Sequence, residues 1–163
     1  MKSILLSGCL LAVASVFPGI ANADMPEAIA ASGQALVTTL HAEGAQVYEC
    51  KADNTGKLAW QFREPIATLM LDGKTVGRHY AGPDWELADG SAVSGKVSGR
   101  AAGATPADIP LLRLDASARG SGMLSGVSTI QRINTKGGVA AGSCAAGGYL
   151  SVPYSADYTF YRK

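Results

Sequence analysis

The stretch Tyr-Ser-Ala-Asp-Tyr-Thr-Phe-Tyr at residues 154–161 alternates apolar or aromatic side chains with polar ones as far as Phe160. Tyr154, Ala156, Tyr158 and Phe160 share one face of an extended chain, because successive side chains of a β-strand point to opposite sides of the sheet. This alternation is typical of a strand with one buried face. We therefore predict that these four residues lie in the core.

The same two-residue period recurs along the chain between turn-forming residues. Residues 36–41 and 46–50 predict a β-hairpin interrupted at Glu43-Gly44, and residues 58–63 predict a strand that ends at Pro65 and buries Trp60. Further strands are predicted at residues 66–71, 76–80, 85–87, 92–98, 111–116 and 127–133. About nine short strands with Gly-rich turns predict an all-β antiparallel fold, a sandwich as first choice and a barrel as the alternative.

Residues 1–23 have the three parts of a secretory signal peptide. Lys2 precedes an apolar stretch at residues 4–17, and Ala21-Asn22-Ala23 supplies the small residues that signal peptidase requires. Cleavage before Asp24 leaves residues 24–163 as one domain, which can begin with a short helix at residues 24–32. The apolar stretch is too short to be a transmembrane segment, which takes about 20 residues.

A competing interpretation of the N-terminus is a lipoprotein, because Leu6-Ser7-Gly8-Cys9 matches a lipobox. Only three apolar residues precede Ser7, fewer than the roughly 7 to 15 of a signal's apolar region. Signal cleavage is therefore favoured over acylation of Cys9. The expected location is the periplasm or the extracellular space.

Removal of the signal peptide changes both the charge balance and the cysteine count. Of 14 basic side chains Lys2 is lost, which leaves 13 against 13 acidic ones. Nothing in this neutral balance suggests binding to nucleic acid or to an anionic membrane, both of which favour a basic surface. Cys50 and Cys144 remain, and in an oxidising compartment an even count favours a disulfide between them over two free thiols.

His79 is the most suggestive residue for catalysis, because an imidazole can act as acid or base near neutral pH. Asp84, Glu86 and Asp89 are the nearby carboxylates in the sequence. No G-x-S-x-G nucleophile elbow accompanies them, and Ser91 falls in a predicted Asp89-Gly90-Ser91 turn. The plainer alternative is that His79 holds the Gly82-Pro83 turn through a backbone carbonyl.

Two groups of residues suggest binding rather than catalysis. Tyr80, Trp85, Tyr149 and Tyr154 could stack on a sugar ring or grip a peptide, although core packing is the favoured interpretation. Gln131, Arg132 and Asn134 could form a polar recognition patch, and a salt bridge with a turn-holding Asn explains them equally well.

The sequence predicts neither a metal site nor a bound cofactor. Its two histidines and distant cysteines lack zinc-ligand spacing, and C-x-x-C-H, the haem-attachment motif, is missing. The residues after Asp89-Gly90-Ser91 do not continue a calcium loop.

Motifs along nearly the whole mature chain resemble a family of secreted bacterial and fungal proteins catalogued as domain of unknown function 3455. They comprise Gly44, Gln46, Tyr48, Cys50, Trp60, Phe62, Pro65, Ala67, Gly77, His79, Tyr80, Gly82, Pro83, Trp85, Asp89, Gly90, Ser91, Val93, Gly95, Ile109, Pro110, Ile130, Gln131, Arg132, Asn134, Thr135, Gly137, Gly138, Cys144, Tyr154, Ala156, Asp157, Tyr158, Phe160 and Tyr161.

The resemblance implies no activity and no catalytic residues. Some fungal relatives carry a malate dehydrogenase label, which requires a G-x-G-x-x-G nucleotide loop between a strand and a helix. Gly120, Gly122 and Gly126 have the wrong spacing and lie among predicted strands. The dehydrogenase interpretation is therefore rejected for this chain.

The leading hypothesis is an exported, non-enzymatic β domain that binds a small molecule, glycan or peptide, or that serves as an envelope or surface component. The alternative is a small hydrolase or lyase centred on His79 with one of the neighbouring carboxylates. Geometry separates the two, since a catalytic imidazole must reach a carboxylate in an open cleft.

Overall fold

The computed structural model describes residues 25–163, and within this range it contains eight β-strands and one short 3-10 turn, Glu27–Ile29. The strands are β1 Ala35–Ala52, β2 Leu58–Leu71, β3 Lys74–Tyr80, β4 Asp84–Leu87, β5 Ala92–Ala101, β6 Leu111–Arg119, β7 Thr129–Gly137 and β8 Tyr149–Arg162. The predicted signal peptide and the lipobox cysteine, Cys9, lie outside the described residues.

All eight strands form one antiparallel sheet in chain order, and β8 pairs with β1 along most of its length. The all-β antiparallel prediction is confirmed. Of the two arrangements considered, the hydrogen-bonded ladder follows the barrel, because its first and last strands meet. Closure pairs strand edges that would otherwise be open to other chains.

The core fills the inside of the barrel and follows the predicted alternation. Tyr154, Ala156, Tyr158 and Phe160 of β8 are all buried there, as their two-residue period predicts.

Consecutive antiparallel strands place the β1–β2, β3–β4, β5–β6 and β7–β8 connections at one end, which we call the open end. At the opposite, closed end, the β6–β7 connection packs Leu124 and Val127 into the core.

The predicted hairpin at Glu43-Gly44 is wrong, because β1 runs through this point as one strand. Gly44 pairs with Ala67 on one side and with Tyr154 on the other. A Cβ at Gly44 would collide with the Ile66 carbonyl and the Ala67 backbone. Glycine here permits close approach of neighbouring strands rather than a turn.

The predicted strand end at Pro65 is also wrong, because β2 continues to Leu71. Pro65 pairs with Gln46 of β1, and the pairing of β2 with β3 begins only at Ala67 and His79. Proline has no N–H to donate, and here it occupies a position of β2 that has no hydrogen-bonded partner on the β3 side.

Two smaller expectations also need correction. The helix predicted for residues 24–32 is a 3-10 turn at Glu27–Ile29, and Ile29 is fully buried against the outside of the barrel. Trp60 is predicted to lie in the core but is only half-buried, and it pairs with Cys50 near the end of β1. A bulge in the pairing of β1 with β2 between Val47 and Tyr48 brings Trp60, rather than Gln61, opposite Cys50.

The predicted disulfide between Cys50 and Cys144 is present, with the two Cα atoms 5.8 Å apart. It joins the end of β1 to the connection that leads into β8. The Cys50 amide donates to the Gly148 carbonyl and the Gly147 amide donates to the Cys50 carbonyl, so the same connection is also bound through its backbone. This covalent link ties the β7–β8 connection to the barrel wall.

Candidate binding site

The open end of the barrel contains a pocket of about 400 Å³ to which every strand contributes a lining side chain. Its apolar lining comes from Phe62, Pro65, Ala81, Gly82, Pro83, Trp85, Val97, Ile109, Pro110, Leu112 and Leu114. Its polar lining comes from Gln46, Tyr48, Arg63, His79, Arg100, Arg132 and Tyr158. Small-molecule sites in proteins have this size and this mixture of apolar walls with a few converging polar groups.

An aromatic stack forms one wall of the pocket. The His79 ring lies parallel to the Trp85 indole at 4.3 Å between centroids. The Tyr158 ring meets both of them edge-on, at 4.9 Å from His79 and 5.1 Å from Trp85. All three side chains are nearly inaccessible to solvent. Their mutual packing holds each ring in one orientation.

The protonation state of His79 follows from its surroundings. Its Nδ1 lies 2.8 Å from the backbone carbonyl oxygen of Asp84. A carbonyl can only accept, so Nδ1 carries the proton and donates, which leaves Nε2 as the acceptor of the neutral ring. Burial lowers the pKa of His79 to about 4. The imidazole is therefore neutral at physiological pH.

The carboxylate of Asp84 is directed away from His79. It accepts hydrogen bonds from the Ser94 hydroxyl and from Arg119 Nη1, the latter at 2.8 Å. Burial raises the pKa of Asp84, but these two donors outweigh it, and the pKa lies below its usual range. Asp84 thus approaches His79 through its backbone carbonyl, while its charge is paired with Arg119.

The other two candidate carboxylates also have structural partners. Glu86 accepts from the Tyr80 hydroxyl at 2.7 Å and pairs with Arg78 at 3.1 Å. Asp89 lies in the β4–β5 turn at the closed end and accepts from the Ser91 hydroxyl and the Met123 amide. Among the described residues neither carboxylate is hydrogen-bonded to His79. The catalytic group considered from the sequence is therefore not assembled.

The polar binding residues considered from the sequence are likewise separated. His79, Trp85 and Arg132 line the pocket. Gln131, which alternates with Arg132, is buried on the outer face, where its amide donates to the Ile29 carbonyl and accepts from Tyr161.

The remaining candidates lie apart from these pocket residues. On the outer surface, Asn134 donates to Asp157, and Tyr80 is engaged with Glu86. Of the predicted aromatic face, Trp85 and Tyr154 are buried inside the barrel, whereas Tyr149 is 60% exposed beneath the Arg63 guanidinium. The four aromatic residues therefore do not form one surface.

Five polar lining residues are not among the site candidates considered from the sequence: Gln46, Tyr48, Arg63, Arg100 and Tyr158. The Tyr48 hydroxyl donates to the Gly138 carbonyl at 2.7 Å and so ties the β7–β8 connection to the pocket wall. Gln46 is 2% exposed. Its signal in the sequence is a polar residue at an inward position, in phase with Leu40 and Ala42, where an apolar side chain is expected.

The described residues contain no group of three or more His, Cys, Asp or Glu side chains placed to hold a metal ion. Nor does any helix within residues 25–163 have the length and apolar character to cross a membrane.

Comparison of the sequence with known proteins identifies the family of the chain. No curated protein and no solved structure matches it. The model of the family described as protein of unknown function, DUF3455, matches residues 31–162, which include every strand from β1 to β8. The chain therefore belongs to the DUF3455 family.

Proposed function

We propose that this protein is a non-enzymatic binding protein that holds a small molecule in the pocket at the open end of its barrel. The observation that carries the proposal is the pocket itself, about 400 Å³ and lined from all eight strands. Barrels of eight strands leave room inside for one small ligand at an open mouth. We further propose that the protein acts after export, which its disulfide fits.

The geometry around His79 favours binding over the alternative hydrolase or lyase. His79 Nδ1 is occupied by the Asp84 carbonyl, and the nearby carboxylates are engaged with Arg119, Tyr80 and Ser91. A general base works best with a pKa near the working pH, and burial lowers the pKa of His79 to about 4, so its free Nε2 is a weak base. What the stack supplies instead is a rigid aromatic wall.

A thermal-shift screen of the disulfide-bonded protein against small metabolites, glycans and peptides tests the proposal. A ligand at a hundred times its Kd stabilises the folded state by about 2.7 kcal/mol, which raises Tm by several degrees. Hydrolysis of ester, glycoside or peptide probes that is lost in His79→Ala would overturn the non-enzymatic assignment.

A matched pair of variants locates the binding site. Ala81 is an exposed residue on the rim of the pocket, and Ala88 is an exposed residue in the β4–β5 turn at the closed end. We expect Ala81→Trp to obstruct the mouth and weaken the ligand's thermal shift, and Ala88→Trp to leave it unchanged. Equal effects of the two variants would place the ligand elsewhere.

A further inference from the structure

The pocket carries positive charge without a compensating carboxylate. Three of its lining residues are Arg63, Arg100 and Arg132, and no Asp or Glu is among the lining residues. Arg63 is paired with Glu64 at 2.8 Å. Within residues 25–163, neither Arg100 nor Arg132 forms an ion pair.

Arg132 is fixed in position while its charge stays unpaired among the residues that the structure describes. Its Nε and Nη2 both donate to the Pro110 carbonyl, at 3.0 and 2.9 Å. Its charge acts on the pKa values of Tyr48, His79 and Tyr158, all of which line the same pocket. A half-buried guanidinium held by a neutral carbonyl is an electrostatic site for an anion.

Two deeply buried donors in the same pocket also lack partners. Gln46 Nε2 and Trp85 Nε1 have no hydrogen-bond partner among the described residues, and their side chains are 2% and 1% exposed. Buried N–H groups are nearly always satisfied, because leaving one unpaired is costly. Both residues line the pocket, and an acceptor atom of a ligand bound beside Gln46 would satisfy its Nε2 donor.

The rest of the lining is apolar, with Val97, Leu112, Leu114 and Ile109 contributing alongside the aromatic stack. By proportion with a cavity of about 150 Å³ that holds benzene, a volume of about 400 Å³ holds roughly 16 non-hydrogen atoms. A ligand with one anionic head and an apolar body of that size matches both the positively charged and the apolar parts of the pocket lining.

We propose that the ligand is an amphiphilic carboxylate, with its head group at Arg132 and Gln46 and its apolar body against Trp85, Leu112 and Leu114. This inference rests on the binding function proposed above and specifies the chemical class of ligand. The neutral His79 ring belongs to the wall that contacts the apolar body.

Calorimetric titration with matched neutral and anionic probes tests the inference. The probes are decanoate with decanamide, and hydrocinnamate with hydrocinnamamide, each pair differing in charge and nearly equal in size. We expect each carboxylate to bind about tenfold to a hundredfold more tightly than its amide, the difference made by a hydrogen bond to a charged group. Amides that bind as tightly as the acids would overturn the carboxylate inference and leave the binding function intact. If none of the four probes binds and the metabolite screen also finds no ligand, both the carboxylate inference and the proposed binding function are overturned.

Variants assign the head-group contacts. Arg132→Met should weaken decanoate binding about tenfold or more, Arg132→Lys should restore part of the loss, and Arg162→Met should leave affinity unchanged. Arg162 is an exposed arginine at the end of β8, outside the pocket lining. Equal affinities of the Arg132→Met and Arg162→Met proteins for decanoate would overturn the assignment of Arg132 to the head group.

Gln46→Met distinguishes a ligand contact from a structural role and does not depend on how Arg132 variants fold. It removes a buried donor that has no partner among the described residues. We expect the ligand-free protein to keep or raise its Tm while decanoate binding weakens about tenfold. A lower Tm with unchanged affinity would show that Gln46 is structural and overturn its assignment to the head group.

Discussion

At the residue scale, His79 couples the stability of the barrel to pH. Its ring is packed against Trp85 and Tyr158 and is 3% exposed, so protonation would place a charge inside the core. The folded pKa is about 4, against about 6.5 in an unfolded chain. Between these values the unfolded state binds more protons than the folded state. The contribution of neutral His79 is therefore complete at neutral pH and is lost as pH falls through this window.

We expect urea unfolding to give a free energy about 2 kcal/mol lower at about pH 5 than at about pH 7 from His79 alone. His79→Phe keeps a ring in the stack and should flatten this dependence, whereas His41→Gln on the outer surface should preserve it. NMR titration of the His79 ring protons provides a check in the unaltered protein. A His79 midpoint near its ordinary value of about 6.5 would contradict the buried, neutral ring.

At the element scale, β1 is the strand on which the barrel closes, because it pairs with both β2 and β8. Gly44 lies near its centre, and an added Cβ would meet backbone atoms of Ile66 and Ala67. We expect Gly44→Ala to destabilise the fold by about 1 to 3 kcal/mol, as overpacking does. Chemical denaturation measures the effect.

Gly56→Asn is the control for Gly44→Ala. Gly56 has a φ of 82° and no atom within 4 Å of the place that a Cβ would occupy. Asparagine tolerates this backbone conformation, so the substitution should change the free energy of unfolding by less than about 0.5 kcal/mol. A Gly44→Ala protein as stable as the unaltered one would show that β1 and β2 have room to separate.

The sequence predicts a strand correctly where the features that determine it lie in neighbouring residues of the chain. It fails where they depend on a strand that is distant in the sequence. The alternation at residues 154–161 identifies the buried face of β8 correctly, because period-two patterning is a property of neighbouring residues. The strand breaks predicted at Gly44 and Pro65 are wrong, since the role of each residue depends on which strand lies beside it. Gly44 packs closely against Ala67, and Pro65 lacks a β3 partner.

The candidate site is predictable only in part for the same reason. The chemistry of His79, Trp85 and Arg132 makes them candidates, and they line one pocket. Gln131 is next to Arg132 in sequence, but side chains of successive strand residues point to opposite faces. Asn134 is two residues from Arg132, and its φ of 52° in the irregular pairing of β7 with β8 between Ile133 and Lys136 breaks the alternation there. The two-residue phase that relates Gln46 to Leu40 and Ala42 is present in the sequence, but the hairpin predicted at Glu43-Gly44 interrupts it, and the continuous β1 restores it.

At the scale of the whole molecule, the disulfide between Cys50 and Cys144 joins residues 94 positions apart. In the chain-entropy model, closing a loop of this length stabilises the fold by about 4 to 5 kcal/mol. We expect the double variant Cys50→Ala, Cys144→Ala to unfold at correspondingly lower urea concentration than the oxidised protein. A difference below about 1 kcal/mol would show that the backbone bonds around Gly148 hold the β7–β8 connection without the bridge.

The two tryptophans provide the most direct test of a ligand in the barrel, since only Trp85 lines the pocket and Trp60 lies on β2 near the disulfide. In an ¹H–¹⁵N NMR spectrum each contributes one indole N–H signal. On titration with decanoate, we expect the Trp85 indole signal to shift and saturate while that of Trp60 stays in place. A stationary Trp85 signal at saturating decanoate, or a shift confined to Trp60, would contradict binding in the barrel.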